Sequence, residues 1–287
     1  MLTKIFRFTL TALLAAAAIW AVKTAWDRYM ESSWTRDGHI RAEVTVIAAD
    51  VSGIVTEVRV TDNQFVHKGD ILFVVDQERY TSALAQANAT LAAQQVEKGR
   101  RSSEAKRRAG LGSDVVSVES KEIADFAVSS ANAQIEAAQA ARKLAQVNLE
   151  RTVVRAPVSG YVTNLEVHVG DFAAVGAAKL ALIDSASFYV MGYFEETKLT
   201  QLQPGAKVDM QLMDGARMQG HIESLARGIT DRDATPGREL LADVNPTFNW
   251  VRLAQRIPVR IHIDSMPKGL VLVAGSTCTV VIVAKHT

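Results

Sequence analysis

The chain has 287 residues, a formal net charge of +1 and one cysteine. That length suggests about two domains, and the near-zero charge supplies no global field to draw the chain to nucleic acid. A lone Cys278 excludes an internal disulfide framework and a multi-cysteine zinc site, and within TCTVVIV it reads as a small packed residue. Aromatic residues are few and alanine is abundant, so part of the chain is expected to lie outside any compact core.

At the N-terminus, Lys4 and Arg7 precede an uncharged run from Phe8 to Val22. The run is short for a membrane span, which needs about 20 apolar residues. Flanking residues can lengthen it if Arg7 and Lys23 snorkel to the interfaces. Phe8, Leu13, Leu14, Ile19 and Trp20 are the candidate anchor residues, within a cytoplasmic tip and anchor helix over residues 1–30. A cleaved signal peptide is the rival reading, since small residues lie near a cleavage position. In either case the chain beyond residue 30 is exported.

Residues 39–48 alternate as a strand. Next comes the most informative feature of the chain. VSGIVTEVRVTDNQFVHKG, from Val51 to Gly69, returns as VSGYVTNLEVHVGDFAAVG from Val158 to Gly176. Val51/Val158, Gly53/Gly160, Val55/Val162, Val60/Val167, Phe65/Phe172 and Gly69/Gly176 match at one constant offset, and Asp76 and Asp184 close the two copies. Gly53, Gly69, Gly160 and Gly176 read as structural turns of these half-motifs. Two β half-motifs divided by a long excursion describe one small β domain, residues 48–76 plus 153–185.

The excursion, residues 77–152, reads as a helical hairpin. Tyr80, Leu84, Ala87 and Leu91 recur at helical steps, and no proline interrupts residues 71–156. Gly110-Leu111-Gly112-Ser113 breaks the helix, and Ser117 and Ser120 are candidate N-caps of the return. Ile123, Ala127, Ala131, Ile135, Ala138, Ala141, Ala145 and Leu149 form the expected seam. Each arm is about 50 Å long at 1.5 Å per residue. Pro157 ends the return helix. Beyond Asp184, β-type runs at 188–194, 207–213, 218–225, 256–263 and 276–283 predict a small antiparallel barrel. This barrel spans residues 186–287 and is joined by residues 37–47. Residues 228–248 read as a long loop. The fold class is mixed α+β and elongated: anchor helix, split β-sandwich, hairpin and C-terminal barrel.

No nucleophile elbow, phosphate loop or dinucleotide glycine pattern is present. The six histidines are scattered without a ligand spacing, so no metal, cofactor or catalytic site is expected. Arg100, Arg101, Lys106, Arg107 and Arg108 are basic but lack aromatic platforms for nucleic acid. They read as a solvated helix face or as a docking surface.

The split repeat resembles the lipoyl/biotinyl-type sandwich, without a lysine at the tip for a carrier role. The order of anchor, half-motif, hairpin, APVSGYVTNL half-motif and barrel resembles the HlyD-like membrane fusion protein family. ESSWTRDGHIRAEV, ERTVVRAPVSGYVTNLEV, SFYVMGYFEETKL and NWVRLAQRIPVRI resemble the branch serving aromatic carboxylic acid (p-hydroxybenzoic acid) efflux. The resemblance implies a non-enzymatic periplasmic adaptor of a tripartite pump. Such an adaptor is single-pass in the inner membrane, with most of the chain in the periplasm, and forms a homo-oligomeric ring, commonly of six. Its implied partners are an inner-membrane permease and a TolC-type outer-membrane channel. The family's Arg–Leu–Ser tip signature maps in order to Arg107, Leu111 and Ser117, with Arg108 beside them, one residue short between Leu111 and Ser117. A multidrug or type I secretion adaptor, and an envelope coiled-coil protein without a transport partner, are the alternatives.

Overall fold

The two half-motifs fold into one another rather than side by side. The computed structural model describes residues 2–26, 34–112, 115–228, 254–267 and 269–283. Residues 44–186 form one compact unit, and residues 1–43 with 187–287 form another. The loop expected at 228–248 lies, but for residue 228, outside the described residues.

The chain opens with helix α1 (Leu2–Trp26), then β1 (Trp34–Arg41) and β2 (Val44–Ala48). The single strand expected over 39–48 is therefore two. The break at Ala42-Glu43 is held where the Glu43 N–H donates to Ser187 Oγ at 2.7 Å. It also moves residues 44–47 out of the barrel, because β2 pairs in the sandwich.

The first half-motif supplies β3 (Gly53–Val58), β4 (Phe65–Val66) and β5 (Ile71–Val75). Helices α2 (Glu78–Ala109) and α3 (Val118–Glu150) follow, then β6 (Val153–Arg155). The second half-motif supplies β7 (Gly160–Thr163), β8 (Phe172–Ala173) and β9 (Ala178–Asp184). Two four-stranded sheets result, in the orders β2-β9-β7-β4 and β6-β5-β3-β8. Each half lends its short middle strand to the other's sheet. Gly53 pairs with Ala173 and Ile54 with Phe172, while Gly160 pairs with Val66 and Tyr161 with Phe65. Under the repeat these are the same pairs.

Backbone bonds obey the same symmetry. The Val55 N–H donates to Asp171 O at 2.8 Å, and the Val162 N–H to Gln64 O at 2.9 Å. The Gly69 N–H donates to Ala156 O at 2.8 Å, and the Gly176 N–H to Ala49 O at 3.1 Å. Gly69 and Gly176 carry φ of 97° and 76°, which only glycine adopts readily. Gly53 and Gly160 were expected as turns but begin strands β3 and β7. Their need is room: a Cβ on Gly160 would lie 2.0 Å from Ile183 O. Between the sheets Val55, Leu72, Phe73 and Val75 of the first half and Val162 and Leu182 of the second are fully enclosed. Burying each such side chain contributes about 1.5–3 kcal/mol.

In the other unit, β10 (Tyr189–Glu195), β11 (Lys207–Leu212), β12 (Arg217–Leu225), β13 (Arg256–Ser265) and β14 (Thr277–Ile282) close a six-stranded barrel with β1. Alternation along the strands puts Ile40, Val190, Phe194, Met210, Ile222, Ile261 and Val280 inside. Cys278 is buried among them, and burial pushes its thiol up to about 11, so it is an inert packing residue.

Two glycines separate close approach from open space. Gly160→Ala is expected to lower sandwich stability by about 1–3 kcal/mol through overpacking against the β9 backbone. Gly99 sits within α2 with nothing near its missing side chain. Gly99→Ala should therefore stabilise the hairpin by about 0.8–1 kcal/mol. Thermal melts of the two variants should shift in opposite directions.

Candidate functional site: the hairpin and its tip

The hairpin is fixed at its base by side chains from both ends of the excursion. Asp76 Oδ1 accepts from the Glu78 N–H at 3.0 Å and starts α2. The Tyr80 hydroxyl donates to Ser52 O at 2.7 Å, tying the first turn to the sandwich. Gln77 Nε2 donates to Thr152 Oγ1 at 2.8 Å, and that hydroxyl donates to Leu149 O at 2.6 Å. Thr152 is fully buried, and its own carbonyl accepts from the Val75 N–H at 2.8 Å. Exit and return of the chain are thus joined through one threonine.

Along the arms the seam is narrow. On α2 the stripe of Tyr80, Leu84 and Ala87 is part-buried and Leu91 is buried. On α3 the buried residues are Ala124, Ala131 and Ala138, every seventh residue. That heptad spacing displaces two expected seam residues: Ile123 is 55% exposed, and Ala141 is exposed. Small residues let the helices approach closely but remove little apolar area from water. Glu97 bridges Arg100 and Arg101, each at 2.7 Å, on the surface of α2. These hydrogen bonds lower its carboxyl to about 2, so it stays ionised at any higher pH.

At the tip, Ser117 is the N-cap of α3. Its Oγ accepts from the Ser120 N–H at 3.2 Å and lies 2.9 Å from Ser120 Oγ. Arg108 binds Glu104 Oε1 at 2.6 Å and donates to Ser120 O at 3.3 Å, so it crosses from α2 to α3. Lys121 Nζ donates to Leu111 O at 2.7 Å and draws the turn onto α3. Arg107 is exposed and makes no ion pair among the described residues. Leu111, Val115, Val118, Ile123 and Phe126 are all exposed here, Phe126 at 73%. The tip is an apolar knob beside a basic last turn of Lys106, Arg107 and Arg108, a sign of charge that also suits a helix C-terminus. Of the four tip residues read from the sequence, Arg108 and Ser117 are engaged within the hairpin, while Arg107 and Leu111 face outward. Sequence reasoning missed Ile123 and Phe126 as surface residues. The signal was there in the exact seven-residue spacing of Ala124, Ala131 and Ala138.

Among the described residues, no three His, Cys, Asp or Glu side chains converge as a metal site. A groove of about 940 Å³ runs beside the edge strands β2 and β6, lined by Val46, Ile47, Gln77, Arg151 and Pro157 among others. On α1, Leu13, Leu14, Ile19 and Trp20 are exposed, and the side chain of Phe8 lies outside the described part. Among the described residues, no helix is long and apolar enough to cross a membrane.

The divided sandwich, the inserted hairpin and the barrel together define the fold of a membrane fusion protein. Solved structures share it. The membrane fusion protein Spr0693 of Streptococcus pneumoniae R6 superposes with a TM-score of 0.65 at 16% identity, covering 88% of this chain and 99% of that one. A MacA-MexA chimera carrying the Pseudomonas aeruginosa MexA α-hairpin domain gives 0.62 at 22% identity, covering 88% and 82%. In sequence, YdhJ of Escherichia coli strain K12, an uncharacterized protein, is 42% identical over 280 residues, covering 97% of this chain and 98% of that one. Residues 78–150 match the α-helical hairpin domain of the pHBA AAEA subunit, and residues 187–283 match the AAEA-like beta-barrel domain. The chain belongs to the AAEA-like family of membrane fusion proteins, the non-enzymatic periplasmic adaptors of efflux pumps.

Loss of the Ser117 cap tests how the tip is built. Ser117→Ala should cost the hairpin about 1 kcal/mol, and Ser117→Asp should restore it. Amide exchange in the first turn of α3 should quicken in the alanine variant alone.

Proposed function

We propose that this adaptor bridges an inner-membrane permease and a TolC-type outer-membrane channel, and that its hairpin tip is the channel contact. The supporting observation is the uncovered surface there: Leu111, Val115 and Phe126 are exposed, and so is Arg107, which makes no ion pair among the described residues. An apolar knob can fill a groove, and a guanidinium fork can bind carboxylates or carbonyls at its wall. Arg108 and Ser117 act through the shape of the tip, because their side chains already hold the two helices together. Leu111 and Arg107 make the direct contact.

Each tip contact is small, so firm docking requires several copies acting together. A ring of adaptors, commonly six in the family, presents several tips at a high effective concentration. In this reading α1 anchors the chain in the inner membrane. The helix is about 37 Å long at 1.5 Å per residue. Its uncharged run from 8 to 22 is flanked by charges at positions 7 and 23, and Leu13, Leu14, Ile19 and Trp20 are exposed around it. The cargo is an aromatic carboxylic acid or a similar small anion, carried by the permease and sealed from the periplasm by the adaptor.

Arg107→Asp reverses the charge at every tip of a ring while breaking no ion pair among the described residues. The variant should stay folded, losing at most about 1 kcal/mol to the acidic charge at the α2 C-terminus, and it should lose co-purification with the outer-membrane channel and sensitise cells to p-hydroxybenzoate. Unchanged co-purification and unchanged resistance would refute the tip assignment.

A further inference from the structure

The barrel brings together two histidines that are far apart in sequence. His221 on β12 and His262 on β13 are register partners, and their ring centroids lie 5.3 Å apart. Asp264, two residues along β13 on the same face, holds the His221 ring. Its carboxylate oxygens lie 2.8 and 3.0 Å from His221 Nδ1. A carboxylate only accepts, so Nδ1 must carry the proton and a neutral His221 leaves Nε2 as a bare lone pair. A carboxylate behind a histidine is the arrangement that orients metal-bound imidazoles and raises their basicity. The neighbouring charges are occupied with each other: Arg260 binds Glu223 at 2.8 Å and lies over the Tyr189 ring at 3.9 Å. Lys207 is the β11 partner of His221, on the side away from His262.

The separation of the rings fits one shared ion. A zinc–nitrogen bond of about 2.0–2.1 Å sets an imidazole centroid about 3.2 Å from the metal, and a tetrahedral angle then sets two centroids about 5.2 Å apart. The backbone holds the pair at this distance. The β12–β13 ladder is so close beside it that a Cβ on Gly220 would lie 2.0 Å from His262 O. Both rings are accessible, with His262 exposed and the His221 side chain 39% exposed, so an ion can enter without opening the barrel.

We propose that His221 and His262 bind one divalent transition ion of the imidazole-preferring class, such as zinc, with Asp264 as the positioning residue behind His221. Water completes the coordination. The bound ion cross-links β12 and β13 on the outer face of the barrel, and because it binds the folded state it raises stability by mass action. This inference rests on the barrel alone and is independent of the channel contact.

The full chain in detergent, stripped with a chelator, is titrated with Zn²⁺ against a chromophoric competitor. One saturable site per chain is expected, with a rise in the melting temperature on loading. His221→Ala and His262→Ala should each weaken binding at least tenfold, Asp264→Ala should weaken it about tenfold, and His39→Ala should leave it unchanged. Electron paramagnetic resonance of the unaltered chain with one equivalent of Cu²⁺ should show two coupled nitrogens. No saturable site, unaltered affinity in either His221→Ala or His262→Ala, or fewer than two coupled nitrogens would overturn the proposal.

Discussion

Everything in the 44–186 unit depends on the exchange of short strands between the two half-motifs. β4 completes the sheet of β7, and β8 completes the sheet of β3. Neither half can satisfy its own backbone without the other, since Val55 and Val162 each donate across to the opposite copy. An isolated half would leave these groups unpaired and its share of the core open to water, and both losses are costly. The insertion of a long hairpin between the halves is tolerated because closing a long loop costs little more than closing a short one. The exchange then clamps both feet of the insertion, and Thr152 joins them.

That division of labour explains the composition of the hairpin. Its seam is built from Ala124, Ala131 and Ala138, with Leu91 the buried side chain of α2, so little of its stability comes from apolar burial. Anchorage at the base and the Arg108 and Lys121 bonds at the tip define its two ends. The remaining apolar side chains near the tip, Leu111, Val115 and Phe126 among them, are exposed.

Much of this was legible in the sequence, because a repeat at constant offset states its own pairing logic. The equivalence of Gly69 with Gly176 and of Val55 with Val162 carries directly into the observed bonds. The hairpin was legible from its periodicity and from the absence of proline. What was not legible depends on contacts distant in the chain. The break at Ala42-Glu43 is invisible to an alternation count that runs smoothly from 39 to 48. Ile123 looks like a seam residue by hydropathy, but the packing distance selects Ala124. Gly53 and Gly160 look like turn glycines, whereas at Gly160 it is the approach of the β9 backbone that excludes a side chain. The meeting of His221 and His262 is set by the β12–β13 register, which no local spacing reveals.

The central claim is that the two half-motifs are one cooperative structure holding a two-helix arm. Native-state hydrogen exchange measured amide by amide tests it most directly, with Val55 and Val162 as reporters. The account predicts that both exchange only through opening of the whole sandwich, with equal free energies. Exchange of one by local opening while the other stays protected would contradict it, for the halves would then be separate structures joined only by the chain.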